Sequence, residues 1–383
     1  MKIFQKEPDI QFMQKRFYAF ALSGLIILAG IAKFFLTGFN LGIEFTGGTL
    51  LEVNYAQSVR IAEIRNYLSE LGYGNAVIQE VSESGPQEDH KYFIKIISED
   101  VLNEDISKER ALTRVKHKLV TEANRERVRE GREDLNMLSE SRLREILQGR
   151  GFPEEAIGNA VREVRDVGMV RDYSDLSGID ADLLDYLRSA TYLGQIKFEK
   201  SESIGPKVGK NLRTKATLAA VWALVGMLVY IAFRFTLIYG LAAVITLFHD
   251  VLVALSILLF FNVELSLAVG AALLTIIGYS LNDTIVVFDR VRDNLSLIKQ
   301  KKGAGVILNQ SINQTLSRTI VTSLTTLLTM LALFLFGGEV LHWFAFTMIA
   351  GILVGTYSSI FQSCSWLMTW EKAFMQGMKK KKS

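Results

Sequence analysis

The sequence predicts an α-helical polytopic membrane protein with six transmembrane helices and an exported α+β domain between the first and second. Two observations carry this. The 383-residue chain is 49% hydrophobic with a mean hydropathy of +0.23, high for a soluble protein. Its apolar residues also gather in Phe17–Leu36 and in nearly everything after Ala216, while 40–213 reads as ordinary charged sequence. A bilayer core about 30 Å thick needs roughly 20 apolar residues in a helix. That ruler gives spans at 17–36, 216–233, 237–261, 265–288, 318–337 and 341–363. All four prolines, Pro8, Pro86, Pro153 and Pro206, fall outside them.

Residues 1–16 end in Lys15 and Arg16, just before the first span. That span runs into Thr-Gly-Phe-Asn with no small-residue cleavage site, which reads as an uncleaved signal anchor. Lys33 near its far end can snorkel to the interface. Arg290, Arg292, Lys299, Lys301 and Lys302 follow the fourth span, and Lys379–Lys382 lie in the basic segment 364–383. Arg234 sits in the second turn, while the third-to-fourth and fifth-to-sixth turns carry Glu264 and Glu339. Short loops rich in Lys and Arg stay cytoplasmic. Both termini are therefore expected in the cytoplasm, and residues 37–213 outside, in the periplasm. The cluster Lys207, Lys210, Arg213, Lys215 runs against the rule, but it belongs to a long exported segment on which the rule has little hold.

Within 37–213, Thr49–Tyr55 alternates Leu51, Val53 and Tyr55 with polar neighbours and reads as a strand. Ile61, Ile64, Leu68 and Leu71 follow at helical spacing and Gly72 ends that helix. Ala76–Val81 and Tyr92–Ser98 are two further strand-like runs joined by the turn-rich Ser82–Asp89, and Gly194–Lys200 is a last strand candidate. The order β-α-β-β with a closing strand is that of a ferredoxin-like split βαβ unit. A charged stretch, about 99–190, separates the last strand from the rest. It carries helical stripes at Leu112, Val115, Leu119, at Leu143, Ile146, Leu147, and at Ile157, Ala160, Val161, Val164, with Pro153 opening the last. These predict helices, one or more of them an insertion, serving either as solvated spacer or as a partner-binding element.

Gly205-Pro-Lys-Val-Gly209-Lys210-Asn211 fails as a phosphate loop. It has three residues between its glycines where four are needed, and Asn211 stands where Ser or Thr should bind Mg²⁺. It reads instead as a glycine-rich turn into the second span. One cysteine, Cys364, excludes an intrachain disulfide, and it and four scattered histidines offer no metal-ligand spacing. No His-Glu-x-x-His, Gly-x-Ser-x-Gly, Gly-x-Gly-Asp or dinucleotide fingerprint occurs. Neither an enzyme with its own nucleotide site nor a nucleic-acid binder is expected, and no cofactor or metal.

The chemistry lies in the membrane. Asp283 is the one ionisable residue of the fourth span until its end, and a carboxylate at a helix centre costs roughly 2.5–3.5 kcal/mol on insertion scales. It persists there by facing the bundle interior, by finding a partner, or by holding a proton. Gly278, Tyr279, Ser280 and Asn282 beside it supply small and polar surface suited to helix–helix contact. His249-Asp250 lies midway through the third span, and Arg318 opens the fifth. His249 points about 100° away from Asp250 around a helix and reads as polar packing. Arg318 is either an interfacial snorkel or a counter-charge for Asp283, and Arg234 an anchor at the inner face. Intramembrane acids without a hydrolytic motif argue for ion-coupled transport, and a lone carboxyl serves H⁺ or Na⁺ alike.

Asn40-Leu-Gly-Ile-Glu-Phe-Thr-Gly-Gly-Thr49 directly after the first span resembles the opening signature of the SecF family of the bacterial Sec protein-export machinery. The same family is matched by Phe233-Arg-Phe235, His249-Asp250-Val251, Ile277–Asp283 running to Val287-Phe-Asp-Arg290, Arg318-Thr319 with Thr322-Ser323, and Leu335-Phe-Gly-Gly338. The matches come in order and cover 17–98 and 194–363. The resemblance implies a member of the RND superfamily that assembles with SecD and the SecYEG channel, alongside YajC and YidC. It implies use of the proton motive force at the inner membrane to move an unfolded polypeptide late in translocation. It casts Asp283 as the proton-coupling aspartate, Arg318 as its arginine partner, Asp250 as the second family acid and Asn282 as their neighbour. Glu44, Phe45, Thr46, Gly47, Gly48, Gly278, Tyr279 and Arg234 fall on motif positions with structural roles. Two rival readings remain: a proton-coupled exporter of small molecules or lipids, and a non-catalytic scaffold for SecD.

Overall fold

The computed structural model describes residues 8–82, 90–97, 108–125, 132–234, 236–297 and 303–370. The hairpin turn at 83–89, Phe235, Lys299, Lys301, Lys302 and the lysines 379–382 lie outside the described residues. In chain order the elements are α1 (Arg16–Thr37), α2 (Ile43–Thr46), β1 (Gly48–Tyr55), α3 (Ile61–Ser69), β2 (Val77–Ser82), β3 (His90–Ile97) and α4 (Lys108–Ala123). Then come β4 (Glu133–Asp134), α5 (Glu140–Arg150), α6 (Glu154–Val167), α7 (Ala181–Ala190), β5 (Thr191–Tyr192) and β6 (Ile196–Ile204). The chain continues with α8 (Pro206–Arg234), α9 (Leu237–Phe260), α10 (Leu267–Leu297), α11 (Ala304–Phe336), α12 (Gly338–Phe361) and α13 (Ser363–Thr369). It divides into two compact units, Ile43–Asn211 and the remainder.

The first unit is built on a four-stranded sheet in the order β2-β3-β1-β6, antiparallel throughout. Alternation puts Leu51, Val53, Tyr92, Ile94 and Ile96 on one face, where Ile64 and Leu68 of α3 and Val115 and Leu119 of α4 seal them. Tyr55 and Tyr92 meet edge to face at 5.5 Å, and the Tyr92 hydroxyl donates to the Val59 carbonyl at 2.8 Å. At the head of β1, Gly47 and Gly48 adopt φ of 73° and 145°. A Cβ on Gly48 would strike the Ile96 carbonyl, so the central strand can start there only with glycine.

The stretch 99–190 is not one insertion. Its first helix, α4, belongs to the sheet's own core, whereas α5, α6 and α7 close around a separate one of Leu143, Leu147, Ile157, Val161, Leu183 and Leu187. Equal helical stripes in sequence thus serve two cores, because the stripe shows that a helix buries a face but not against what. Ser139 caps α5, its hydroxyl accepting from Arg142 N–H at 3.2 Å, and Gly151 ends it at φ 86°. The inserted body joins the sheet through buried polar groups. Asp134 accepts from the backbone N–H groups of Asn136 and Gly194, each at 3.0 Å, and from the Asn124 side chain at 3.1 Å. Asn124 in turn accepts from Gln195 N–H at 2.7 Å. Burial pushes the Asp134 carboxyl up to about 6 against these bonds.

Among the described residues, the other unit holds six helices long and apolar enough to cross a membrane. Those ending at Phe260, Leu295 and Thr369 bury 50, 50 and 56% of their apolar windows inside the unit; those ending at Thr37, Ile231 and Phe336 bury 17, 6 and 11%. α9, α10 and α12 are therefore the inner layer. Glycine lets them approach: a Cβ on Gly351 of α12 would overlap Ile276 of α10, one on Gly355 would press Ser280, and one on Gly30 of α1 would overlap Ser256 of α9. The third-to-fourth turn is tied to the segment after α1, with Gly42 N–H donating to the Leu265 carbonyl at 2.9 Å and Leu265 N–H to that of Asn40 at 2.7 Å.

Three helices outrun their apolar spans. α8 begins at Pro206, not 216, so Pro206–Asn211 forms the helix's first turns rather than a turn leading into it; proline suits a first helical position. Gly209 is needed there, since a Cβ would come 2.9 Å from Gly47 N. α10 continues to Leu297. α11 begins at Ala304, fourteen residues ahead of Arg318, which lies inside the helix instead of opening it. The polar sequence 304–317 stays helical because its side chains are bound. Asn309 and Asn313 accept from Met13 and Ile10 N–H at 3.0 and 3.1 Å, Asn313 donates to the Ile10 carbonyl at 2.9 Å, and Ser311 accepts from Asn294 at 2.8 Å. The N-terminal residues are thus clasped, backbone to amide side chain, and Phe12 and Met13 are buried.

Candidate functional site

The two intramembrane acids sit on neighbouring inner helices. Asp250 of α9 is 1% exposed and Asp283 of α10 is 3% exposed. Around Asp250 the structure gathers three partners. Ser358 of α12 donates at 2.7 Å, Ser280 of α10 donates to the same oxygen, and His249 Nδ1 lies 2.9 Å from the other. His249 does not point off into packing: its ring swings back along the helix to Asp250, leaving Nε2 without a partner among the described residues. Asp283 has far less. Ser323 of α11 donates to it at 3.4 Å, and Ser323 accepts from Thr356 of α12 at 2.7 Å.

One turn of α12, residues 355–359, thus serves both acids, with Thr356 toward Asp283 and Ser358 on Asp250. Ser280 lies three residues from Asp283, so α10 carries one acid and a donor to the other. These hydroxyls were visible in the sequence as polar residues in apolar spans. Their assignment to particular acids was not, because Ser358 is 108 residues from Asp250.

The remaining candidates separate into groups. Arg318 is exposed on α11 and makes no ion pair with Asp283; its charge acts on the carboxyl from a distance. Asn282 and Gly278 are exposed on the outer side of α10, and space around Gly278 is open. Of the small surface around Asp283, Ser280 is the part that faces inward. Tyr279 packs beside Ile276, Met348 and Ile352, its hydroxyl unpartnered among the described residues. Arg234 closes an ion pair with Asp289 of α10 at 2.7 Å, and Arg292 shares that carboxyl at 3.0 Å. Glu44, Phe45 and Thr46 form the single half-buried turn of α2 that delivers Gly47 and Gly48 to β1. Among the described residues no group of three His, Cys, Asp or Glu side chains is placed to hold a metal ion.

Geometry of this kind, acids and hydroxyls packed between apolar helices, can be compared with known proteins. Residues 186–373 match the family described as protein export membrane protein SecD/SecF, C-terminal, and residues 34–59 match the SecD/SecF GG motif. The protein translocase subunit SecF of Koribacter versatilis is 36% identical over 97% of this chain and 94% of its own length. That of Desulfurispirillum indicum is 35% identical over 97% and 95%. The crystal structure of SecDF from Thermus thermophilus, a translocon-associated membrane protein, superposes with a TM-score of 0.67 at 30% identity over 97% of this chain. The chain spans 40% of that longer protein. SecDF in its super-membrane-facing form matches with a TM-score of 0.56 at 29% identity. With the fold, both signatures and near full-length relatives in agreement, this multi-pass membrane chain belongs to the SecF family of protein translocase subunits.

Proposed function

We propose that the chain assembles with SecD beside the SecYEG channel in the inner membrane and draws on the proton motive force to drive late translocation or release of an unfolded polypeptide. Asp283 is the coupling residue in this reading. The observation that carries it is a carboxyl sealed inside the bundle with a single long hydrogen bond from Ser323, a group whose proton is its cheapest remaining partner. One charge crossing ~100 mV releases about 2.3 kcal/mol, enough to bias a two-state motion. The termini are assigned to the cytoplasm from the Lys/Arg excess, and 37–213 to the periplasm. The βαββαβ path and sheet order of that unit support its ferredoxin-like assignment.

The test is export in inverted membrane vesicles with and without a collapsed proton gradient, comparing wild type with Asp283→Asn after checking assembly with SecD. The expected variant assembles and loses the gradient-dependent part of export. An assembled variant that exports like wild type would leave Asp283 a structural contact and the chain a scaffold. Repeating the assay with Na⁺ and H⁺ gradients imposed separately assigns the ion.

A further inference from the structure

Thr356 of α12 has two hydrogen-bond acceptors and a single proton to give them. Its hydroxyl lies 2.7 Å from Ser323 Oγ of α11 and 2.7 Å from the Ile352 carbonyl, one turn back in α12. A hydroxyl carries one O–H, so the two bonds exclude each other. Thr347 and Ser359 on the same helix face no such choice. Among the described residues each donates only to a carbonyl of α12, at 2.7 and 3.0 Å, the usual way a helix satisfies a hydroxyl among apolar neighbours.

The charge of Asp283 settles which bond Thr356 makes. A carboxylate only accepts. While Asp283 is ionised, Ser323 donates to it at 3.4 Å, and the Ser323 oxygen takes the proton of Thr356. A protonated carboxyl has an O–H of its own to place. Ser323 is its one partner among the described residues; Thr284 and Thr319, buried on the same two helices, make no bond to it. Aimed anywhere but Ser323, that O–H would be buried without an acceptor. The chain therefore reverses: Asp283 donates to Ser323, Ser323 to Thr356, and Thr356 to the Ile352 carbonyl. Two hydroxyls have turned, each still bonded, and no proton has passed between residues.

The turn of α12 that receives this change is tightly held. Ser358, two residues beyond Thr356, donates to Asp250 at 2.7 Å. Gly351 and Gly355 bring the same stretch so close to α10 that a Cβ on either would press Ile276 or Ser280. A reorientation at Thr356 is thus felt where α12 meets both α10 and the partners of Asp250.

We propose that Ser323 and Thr356 form a reversible hydroxyl chain that reads the charge of Asp283 and delivers it to α12, with Thr356 as the positioning residue at its end. The inference rests on Asp283 changing its protonation state in the coupling role given above. It assigns how that change leaves α10 for a third helix.

The experiment uses the full chain assembled with its SecD partner and has two readouts. In pH-difference infrared spectra, the carboxylic C=O band present in wild type and missing from Asp283→Asn belongs to Asp283. Ser323→Ala should move that band to higher frequency, because the acid loses its acceptor. In inverted vesicles, Thr356→Val should lower gradient-dependent export about fivefold or more, whereas Thr356→Ser keeps it. Thr347→Val removes a buried hydroxyl with no link to Asp283 and should also keep it. Ser323→Ala and Thr356→Val combined should do no worse than the worse of the two, as links of one chain. Export from Thr356→Val matching that of Thr347→Val, equal failure of Thr356→Ser, or additive losses in the double variant overturns the chain. If Thr356→Val does not assemble with SecD, the infrared band decides, and an unmoved band in Ser323→Ala overturns it. A titrating Asp283 whose Asn variant loses export leaves the coupling assignment standing even when the chain falls. Normal export from Asp283→Asn removes the coupling assignment, and the chain's role with it.

Discussion

Asp250 and Asp283 lie in one bundle, on adjacent helices, and both are almost sealed from the surface. Asp250 is held by two serine hydroxyls and a histidine drawn from three helices. Asp283 is held by one serine at 3.4 Å, with two unpartnered threonine hydroxyls on the helices that meet there. The first arrangement knits α9, α10 and α12 together. In the second, the carboxyl is buried without being satisfied. Depth is nearly the same for the two acids; the number of donors that reach each is not.

The largest effect is expected where most bonds converge. Asp250→Ala orphans Ser280 and His249 and leaves Ser358 only the Gly355 carbonyl at 3.1 Å, at about 1–3 kcal/mol for each group left unpartnered, so folded protein recovered from the membrane should fall sharply, while Asp250→Asn should lose much less. Thermal unfolding in detergent measures both. If Asp250→Ala melts like wild type, the contrast between the acids is broken. Asp283→Asn comes next, with an opposite profile: melting within about 1 kcal/mol of wild type and loss of the gradient-dependent share of export.

Asp134 extends the comparison to the unit Ile43–Asn211, since it too collects three partners, here all N–H donors. Its carboxyl is pushed up to about 6 by burial, above the ~3.9 of an unfolded chain. The folded state therefore binds this proton more tightly. The stability it adds is fully present below pH ~4 and is lost as pH rises through about 6. Unfolding of the full chain between pH 4 and 7 should show that slope in wild type and a flatter one in Asp134→Asn. Identical slopes would exclude Asp134 as its source. Smallest of all is Ser323→Ala, which removes the long bond to Asp283 and one of two acceptors of Thr356, whose hydroxyl keeps the Ile352 carbonyl at 2.7 Å, and should cost no more than about 0.5–1.5 kcal/mol. A larger loss would mean that Asp283 is as firmly bound as Asp250.

Much of this was legible in the sequence. Apolar length found each of the six spans, strand-like runs found the four strands of the larger sheet but not the short pair β4 and β5, and isolated polarity in an apolar run found both acids. What stayed hidden depends on distant partners. Residues 304–317 are too polar to count as a membrane span, and they are helical because Asn309, Ser311 and Asn313 bind Met13, Asn294 and Ile10. The stripe Leu112, Val115, Leu119 looks like those of α5 and α6 yet joins the sheet's core. The serines that distinguish Asp250 from Asp283 come from other helices, so no local pattern could separate the two acids.

The clasp of Asn309 and Asn313 on the backbone of Ile10 and Met13 sets an order of events during synthesis. Ile10 and its partner are 303 residues apart, so the segment before α1 cannot take its final place until α11 has been made. α1 must enter the bilayer with this segment undocked, and the bundle is fastened only when the fifth span arrives. A chain that stalls before that point leaves the segment before α1 without the Asn309 and Asn313 contacts that hold it.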